Sequence, residues 1–159
     1  MSQSTELKAP GLEETRMNVA AILKQKGRGV FTTAPDTPLL EITKLLGTHG
    51  IGCIVITAPD GKVIGIVSER DIVREISRAG SKVLKEAVEA CMTKTVVTCR
   101  ESDTIDRIMA EMTAHRFRHM PVVERGRLIG LVSIGDVVRM RIAEAEMEAA
   151  AMREYIATG

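Results

Sequence analysis

The stretch GIVSERDIVR at residues 65–74 returns as GLVSIGDVVR at residues 130–139. Over the twelve aligned positions 65–76 and 130–141, six are identical: Gly, Val, Ser, Asp, Val and Arg. The likeness extends backwards. Val30, Thr32, Ile42 and His49 are matched 66 residues later by Val96, Thr98, Ile108 and His115. Apolar Leu39, Leu46, Ile51, Ile54 and Ile56 are matched by Ile105, Met112, Phe117, Met120 and Val122. One residue is lost where TAPDGK becomes VERGR. A period of this length marks a duplicated structural unit.

Both copies give the same local reading. A short β-prone piece (residues 30–33 and 96–99) leads to a helix with apolar residues three and four apart: Leu39, Ile42, Leu46 and Ile105, Ile108, Met112. Asp36 in the first copy, and Ser102 or Asp103 in the second, can cap these helices. Strands are expected at 53–57 and 119–123, tight Gly-containing turns at PDGK and ERGR, and second strands at 63–67 and 128–132. Each of these runs into a helix opening at Ser68 or Ser133. The unit is therefore β-α-β-β-α, and two such units packed together give an α+β fold. A leading helix is expected over 12–25, and a helical link over 80–92.

The last helix runs far past its repeat. Val138, Ile142, Ala145, Ala149, Met152 and Ile156 recur at spacings of four and three, flanked by Glu144, Glu146, Glu148 and Arg153. This heptad-like seam either lies on its own module or meets a second copy of the chain. By boundaries, residues 1–16 read as a flexible N-terminus and 17–80 as the first repeat. Residues 81–92 read as a linker, 93–142 as the second repeat and 143–159 as a helical extension.

Composition narrows the function. The chain is 45% hydrophobic, with only Phe31, Phe117 and Tyr155 as aromatics, so its core is aliphatic. A net charge of +1, with the charges interspersed, gives no track for nucleic acid. No apolar run approaches the ~20 residues of a membrane span, and the N-terminus does not read as a secretory signal. Cys53, Cys91 and Cys99 form an odd, scattered set, which points to reduced thiols in the cytoplasm. No nucleophile–base pair, P-loop or dinucleotide fingerprint is present, so an enzyme is not expected. His49 and His115 occupy equivalent helix ends and read as structural. No metal site is expected, because Cys53 and His119 align with each other and nothing else pairs with them.

The repeated Ser and Asp fit two readings. In one, Ser caps the helix and Asp complements its positive end. In the other, the free N–H groups at the helix mouth and the Ser hydroxyl take a phosphate, and the Asp accepts the two hydroxyls of a ribose. Gly65 and Gly130, inside apolar strands, imply that something approaches the backbone closely there.

The pattern Gly–apolar–apolar–Ser–x–x–Asp, after a hairpin in a tandem repeat and with the run HRFRHMPVVERGRLIGLVSIGDVV, resembles the CBS domain family over about residues 17–142. The resemblance implies two repeats packed with pseudo-twofold symmetry around two clefts, and a homodimer of such pairs. It implies an adenosine ligand as regulatory cofactor: AMP, ADP, ATP or NAD(H), or alternatively S-adenosylmethionine. Carried over residue by residue, the main cleft has Asp136 on the ribose and Ser133 on the phosphate. Arg118 and His119 reach the phosphate chain there, and Gly29, Val30 and Phe31 line it. The second cleft has Asp71 and Ser68 in those roles, lined by Thr93, Thr95 and Val97, but lacks the cations. The expected function is a nucleotide sensor acting in trans on an unknown protein effector. The competing reading is a structural adaptor that dimerises without ligand.

Overall fold

The structure is a computed structural model, and it describes residues 17–159. The N-terminus expected to be flexible, residues 1–16, lies outside the described residues. The order is α1 (Val19–Lys26), β1 (Thr32–Thr33), α2 (Leu39–His49), β2 (Cys53–Thr57), β3 (Val63–Ser68) and α3 (Glu69–Ala79). Two 3₁₀ turns follow (Ser81–Lys85 and Val88–Ala90), then α4 (Ile105–His115), β4 (His119–Glu124), β5 (Arg127–Ser133) and α5 (Ile134–Thr158).

The strands form one sheet of order β1-β2-β3 and a second of β4-β5. In both repeats a hairpin pairs antiparallel and slips register at the same place, Ile56/Thr57 and Val122/Val123. The hairpin turns close on Gly61 and Gly126, both at positive φ, which glycine adopts without strain. The short parallel strand before each hairpin also repeats. Thr33 pairs with Ile56 in the first copy, and Cys99 bridges Val122 in the second.

Several helix starts differ from the expected ones. α1 begins at Val19 because Asn18 is extended and its side-chain oxygen accepts Ala21 N–H at 3.1 Å. Of the helix expected over 12–25, residues 12–16 lie outside the described residues. Asp36 does not cap α2. Pro38 stands at that boundary, and Leu39 N–H donates instead to Glu86 C=O at 2.9 Å. Thr104, not Ser102 or Asp103, caps α4, with Arg107 N–H at 3.3 Å, while Asp103 serves the preceding turn by accepting Arg100 N–H at 2.8 Å. The link expected to be helical folds as the two 3₁₀ turns, tied down by Val88 N–H to Thr37 C=O (2.8 Å) and Glu89 N–H to Pro35 C=O (3.1 Å).

Two cores result, and each is completed by a segment from outside its own hairpin. In the second core, α1 contributes Val19, Ile22 and Leu23 to Ile105, Ile108, Met120 and Val132. In the first, Val83 and Val88 of the link join Leu39, Ile42, Ile54 and Val67. The closest approaches fall on the two strand glycines. A Cβ on Gly65 would lie 2.2 Å from Met92 Sδ, and one on Gly130 would lie 2.6 Å from Leu23 Cδ2. What approaches the backbone is therefore the protein's own side chains.

Gly130→Ala is expected to cost about 1–3 kcal/mol in urea unfolding, because the buried Leu23 must move. Gly65→Ala should cost less, since a thioether side chain yields more readily. Combining Gly130→Ala with Leu23→Ala should cost less than the sum of the two single changes, the sign of a direct clash.

Candidate functional site

Each Ser–x–x–Asp mouth is a capping box. At α3, Ser68 Oγ accepts Asp71 N–H at 3.2 Å, while Asp71 Oδ2 accepts Ser68 N–H at 2.8 Å and Ser68 O–H at 2.9 Å. At α5, Ser133 Oγ accepts Asp136 N–H at 3.2 Å and Asp136 Oδ2 accepts Ser133 N–H at 2.9 Å. These bonds satisfy donors that a helix start leaves orphaned, which accounts for the duplication structurally. What each carboxylate has left over differs.

Asp71 is half-buried, and its Oδ1 takes no hydrogen bond from the described residues. It lines a cavity of about 760 Å³ together with Ser68, Thr93, Thr95 and Val97. All five residues expected for the second cleft thus meet at one place. Thr93 is held there by a two-way backbone bridge to Ile66, with Thr93 N–H to Ile66 C=O at 2.9 Å and Ile66 N–H to Thr93 C=O at 3.0 Å.

Arg118, His119 and Ser133 line this same cavity. Ser133 stays bonded to Asp136 through the capping box, but Arg118 and His119, expected with Asp136, open onto a cavity that Asp71 lines and Asp136 does not. The start of β4 packs against the start of β2: a Cβ on Gly52 would sit 3.3 Å from His119 Cε1. The second repeat therefore turns its basic strand entrance toward the helix mouth of the first. Arg70, Arg74 and Arg116 add further cations to the wall, with Glu69 beside them. None of these four was singled out from sequence. For Arg116 the signal was present: it stands where the first repeat has Gly50, the left-handed residue that ends α2. Arg116 takes the same conformation, φ 56°, a strain of roughly 1–2 kcal/mol for a side-chain-bearing residue.

Asp136 is only 8% exposed and is fully engaged within the protein. Its Oδ2 accepts Lys26 Nζ at 2.7 Å, and its Oδ1 accepts Arg139 at 2.8 Å. Burial alone would push this carboxyl up. The bonds from Lys26 and Ser133, with the Lys26 charge, hold it below its ordinary value instead. Gly29, Val30 and Phe31 line neither the large cavity nor the neighbouring one of about 620 Å³ between α1 and α5. Phe31 stacks on His49, with ring centroids 4.1 Å apart. The main cleft expected from sequence is thus not assembled as a group: Asp71 stands on the cavity of about 760 Å³ with Arg118 and His119, and Asp136 on the one of about 620 Å³ with Lys26 and Arg139.

The cysteines are free thiols; burial pushes Cys53 and Cys99 up to about 12, so neither is a thiolate at neutral pH. His119 is pushed below its ordinary value, first by burial and then by Lys26 and Arg118, against the opposing pull of Glu69 and Asp136. A base depressed in the folded state binds fewer protons than in the unfolded chain, so its stability contribution is present above pH 6.5 and lost as pH falls below it. The ligand-free protein is expected to melt at lower temperature on going from pH 7.5 to 5.5, and His119→Gln should flatten that slope.

The CBS domain profile matches residues 26–78 and 87–142. Among curated proteins, the chain is 30% identical over 167 residues to the CBS domain-containing protein CBSX3, mitochondrial, of Arabidopsis thaliana, covering 99% of this chain and 80% of that protein. Two further curated relatives are matched over 66% and 58% of their own length. Among solved structures, the CBS-domain containing protein ATU1752 from Agrobacterium tumefaciens superposes with a TM-score of 0.76 at 46% identity, over 78% of this chain and 92% of that one. The CBS domain pair of protein MJ0100, solved in complex with 5′-methylthioadenosine and S-adenosyl-L-methionine, has a TM-score of 0.72 at 25% identity, over 81% of this chain and 98% of that one. With both repeats matched and the pair architecture shared, the chain belongs to the CBS domain family.

Proposed function

We propose that the chain is a regulatory module that takes an adenosine nucleotide in the cavity beside Asp71. One observation carries this reading. The cavity joins a helix mouth with a spare carboxylate oxygen from the first repeat to Arg116, Arg118 and His119 from the second. The ribose hydroxyls go to Asp71 Oδ1, and residues 93–97 supply the base with aliphatic contacts and backbone groups. The arginines take the phosphates; each charge-assisted bond is worth roughly 1.5–3 kcal/mol. Since ligand groups contact both repeats at once, occupancy favours one relative arrangement of the two, which gives an effector something to read.

AMP, ADP, ATP and NAD(H) share the required groups. S-adenosylmethionine is the second reading, favoured by its presence in the MJ0100 pair. Four arginines on the wall disfavour its sulfonium cation. A ligand-free structural adaptor is the third.

Assembly follows from what α5 leaves uncovered. Val138, Ile142, Met152 and Ile156 of the expected seam are 41–73% exposed, so the helix does not bury that stripe on its own module. Val73 of α3, the counterpart of Val138, is exposed in the first repeat, with Ile76 one turn further on. We read these faces as homodimer contacts, with the protein effector engaged in trans in a reducing compartment such as the cytoplasm.

A nucleotide at one hundred times its Kd should add about 2.7 kcal/mol, a rise in Tm of roughly 5–10 °C for a chain of this size. No shift with AMP, ADP, ATP, NAD, NADH or S-adenosylmethionine would favour the adaptor. Asp71→Ala should abolish the shift, and Arg118→Ala should weaken ATP more than adenosine; equal losses refute the phosphate role. Arg116→Gly should raise the ligand-free stability by about 1 kcal/mol while weakening ATP. Val138→Glu with Ile142→Glu should convert a dimer to a monomer in sedimentation, with the fold retained.

A further inference from the structure

The two helix mouths are equal in sequence and unequal in space. In the first repeat, Ile66 C=O accepts a backbone N–H from Thr93 at 2.9 Å. Its counterpart in the second repeat, Leu131 C=O, accepts Lys26 Nζ at 2.9 Å instead. The same ammonium reaches Asp136 Oδ2 at 2.7 Å. A side-chain cation thus stands where the first repeat has the backbone bridge of Thr93, and spans from the edge of β5 to the carboxylate.

The 66-residue register explains why only one mouth is treated this way. The position of Lys26 is held in the first repeat by Met92, which carries no charge and packs over Gly65. Asp71 therefore keeps its second oxygen, whereas both oxygens of Asp136 are taken by Lys26, Ser133 and Arg139. A cavity of about 620 Å³ between α1 and α5 adjoins the pair, lined by Ile22, Lys26, Asp136 and Arg139.

We propose that Lys26 is an internal plug: its ammonium spans Leu131 C=O and Asp136 Oδ2 and closes this mouth, while the exposed Arg139 holds the Oδ1 that stays open at Asp71, so that each chain offers one adenosine cleft in place of two. This rests on the reading of the Asp71 cleft given above. The plug sets stoichiometry, and it makes the module respond through one cleft.

Counting bound nucleotide per chain tests the two readings separately. AMP and ATP are titrated by calorimetry into the wild-type chain and into Lys26→Met, which copies the first repeat at that register. The wild-type count reads the Asp71 cleft: one is expected, and zero would refute that reading without touching the plug. The increment reads the plug: Lys26→Met should bind one more nucleotide than wild type, and Lys26→Arg should bind the same number as wild type. Lys26→Gln serves as a second neutral variant should Lys26→Met lose its melting transition. Adding Asp71→Ala to the neutral variant should remove one site and leave one. An unchanged count in the folded neutral variants, or two sites in the wild-type chain, overturns the plug.

Discussion

Leu23 pressed on Gly130 and Met92 pressed on Gly65 close the two cores of the molecule. Neither hairpin closes its own core. α1, first in the chain, finishes the second repeat, and the link that follows the first repeat folds back to finish the first. Burying residues such as Leu23 and Ile22 is worth roughly 1.5–3 kcal/mol each. The glycines are what let them in: a side chain at either position would meet the incoming residue well inside contact distance. Each half is below the size at which a lone aliphatic core is secure, so this closing of the cores is a condition of folding.

The same arrangement decides where chemistry is possible. With the starts of β2 and β4 in contact, the arginines of the second repeat face the helix mouth of the first. Charge is thereby concentrated on one cavity, whose exposed arginines are unpaired among the described residues and stand open to an anion. The opposite mouth receives the end of α1, and Lys26 neutralises its carboxylate. One segment, α1, therefore performs two tasks, closing the second core with its apolar face and engaging Asp136 with its last residue.

Beyond the repeats, α5 runs on as a 25-residue helix. Arg141 anchors its middle, bonding Glu144 at 2.9 Å and reaching Asp106 of α4 at 3.7 Å. Past that anchor its apolar residues face outward, and Tyr155 and Ile156 are more than 70% exposed. No helix among the described residues is long and apolar enough to cross a membrane.

The sequence by itself determined the repeat, its β-α-β-β-α order, the hairpins and the helices opening at Ser68 and Ser133. All of these rest on local periodicity, turn chemistry and capping, which neighbouring residues control. It also singled out Ser68, Asp71, Thr93, Thr95 and Val97, which meet at one cavity, but not Arg70, Arg74 or Arg116 on the same wall. What it could not decide was which half supplies cations to which mouth. Arg118 and His119 belong to the same repeat as Asp136 yet line the cavity of Asp71, because pseudo-twofold packing sets each strand entrance against the other repeat. Nor could it show that Lys26, 110 residues from Asp136, would bond to it. Such pairings depend on how the two units meet, and that meeting joins residues far apart in the chain, such as Gly52 and His119, a property of tertiary structure alone.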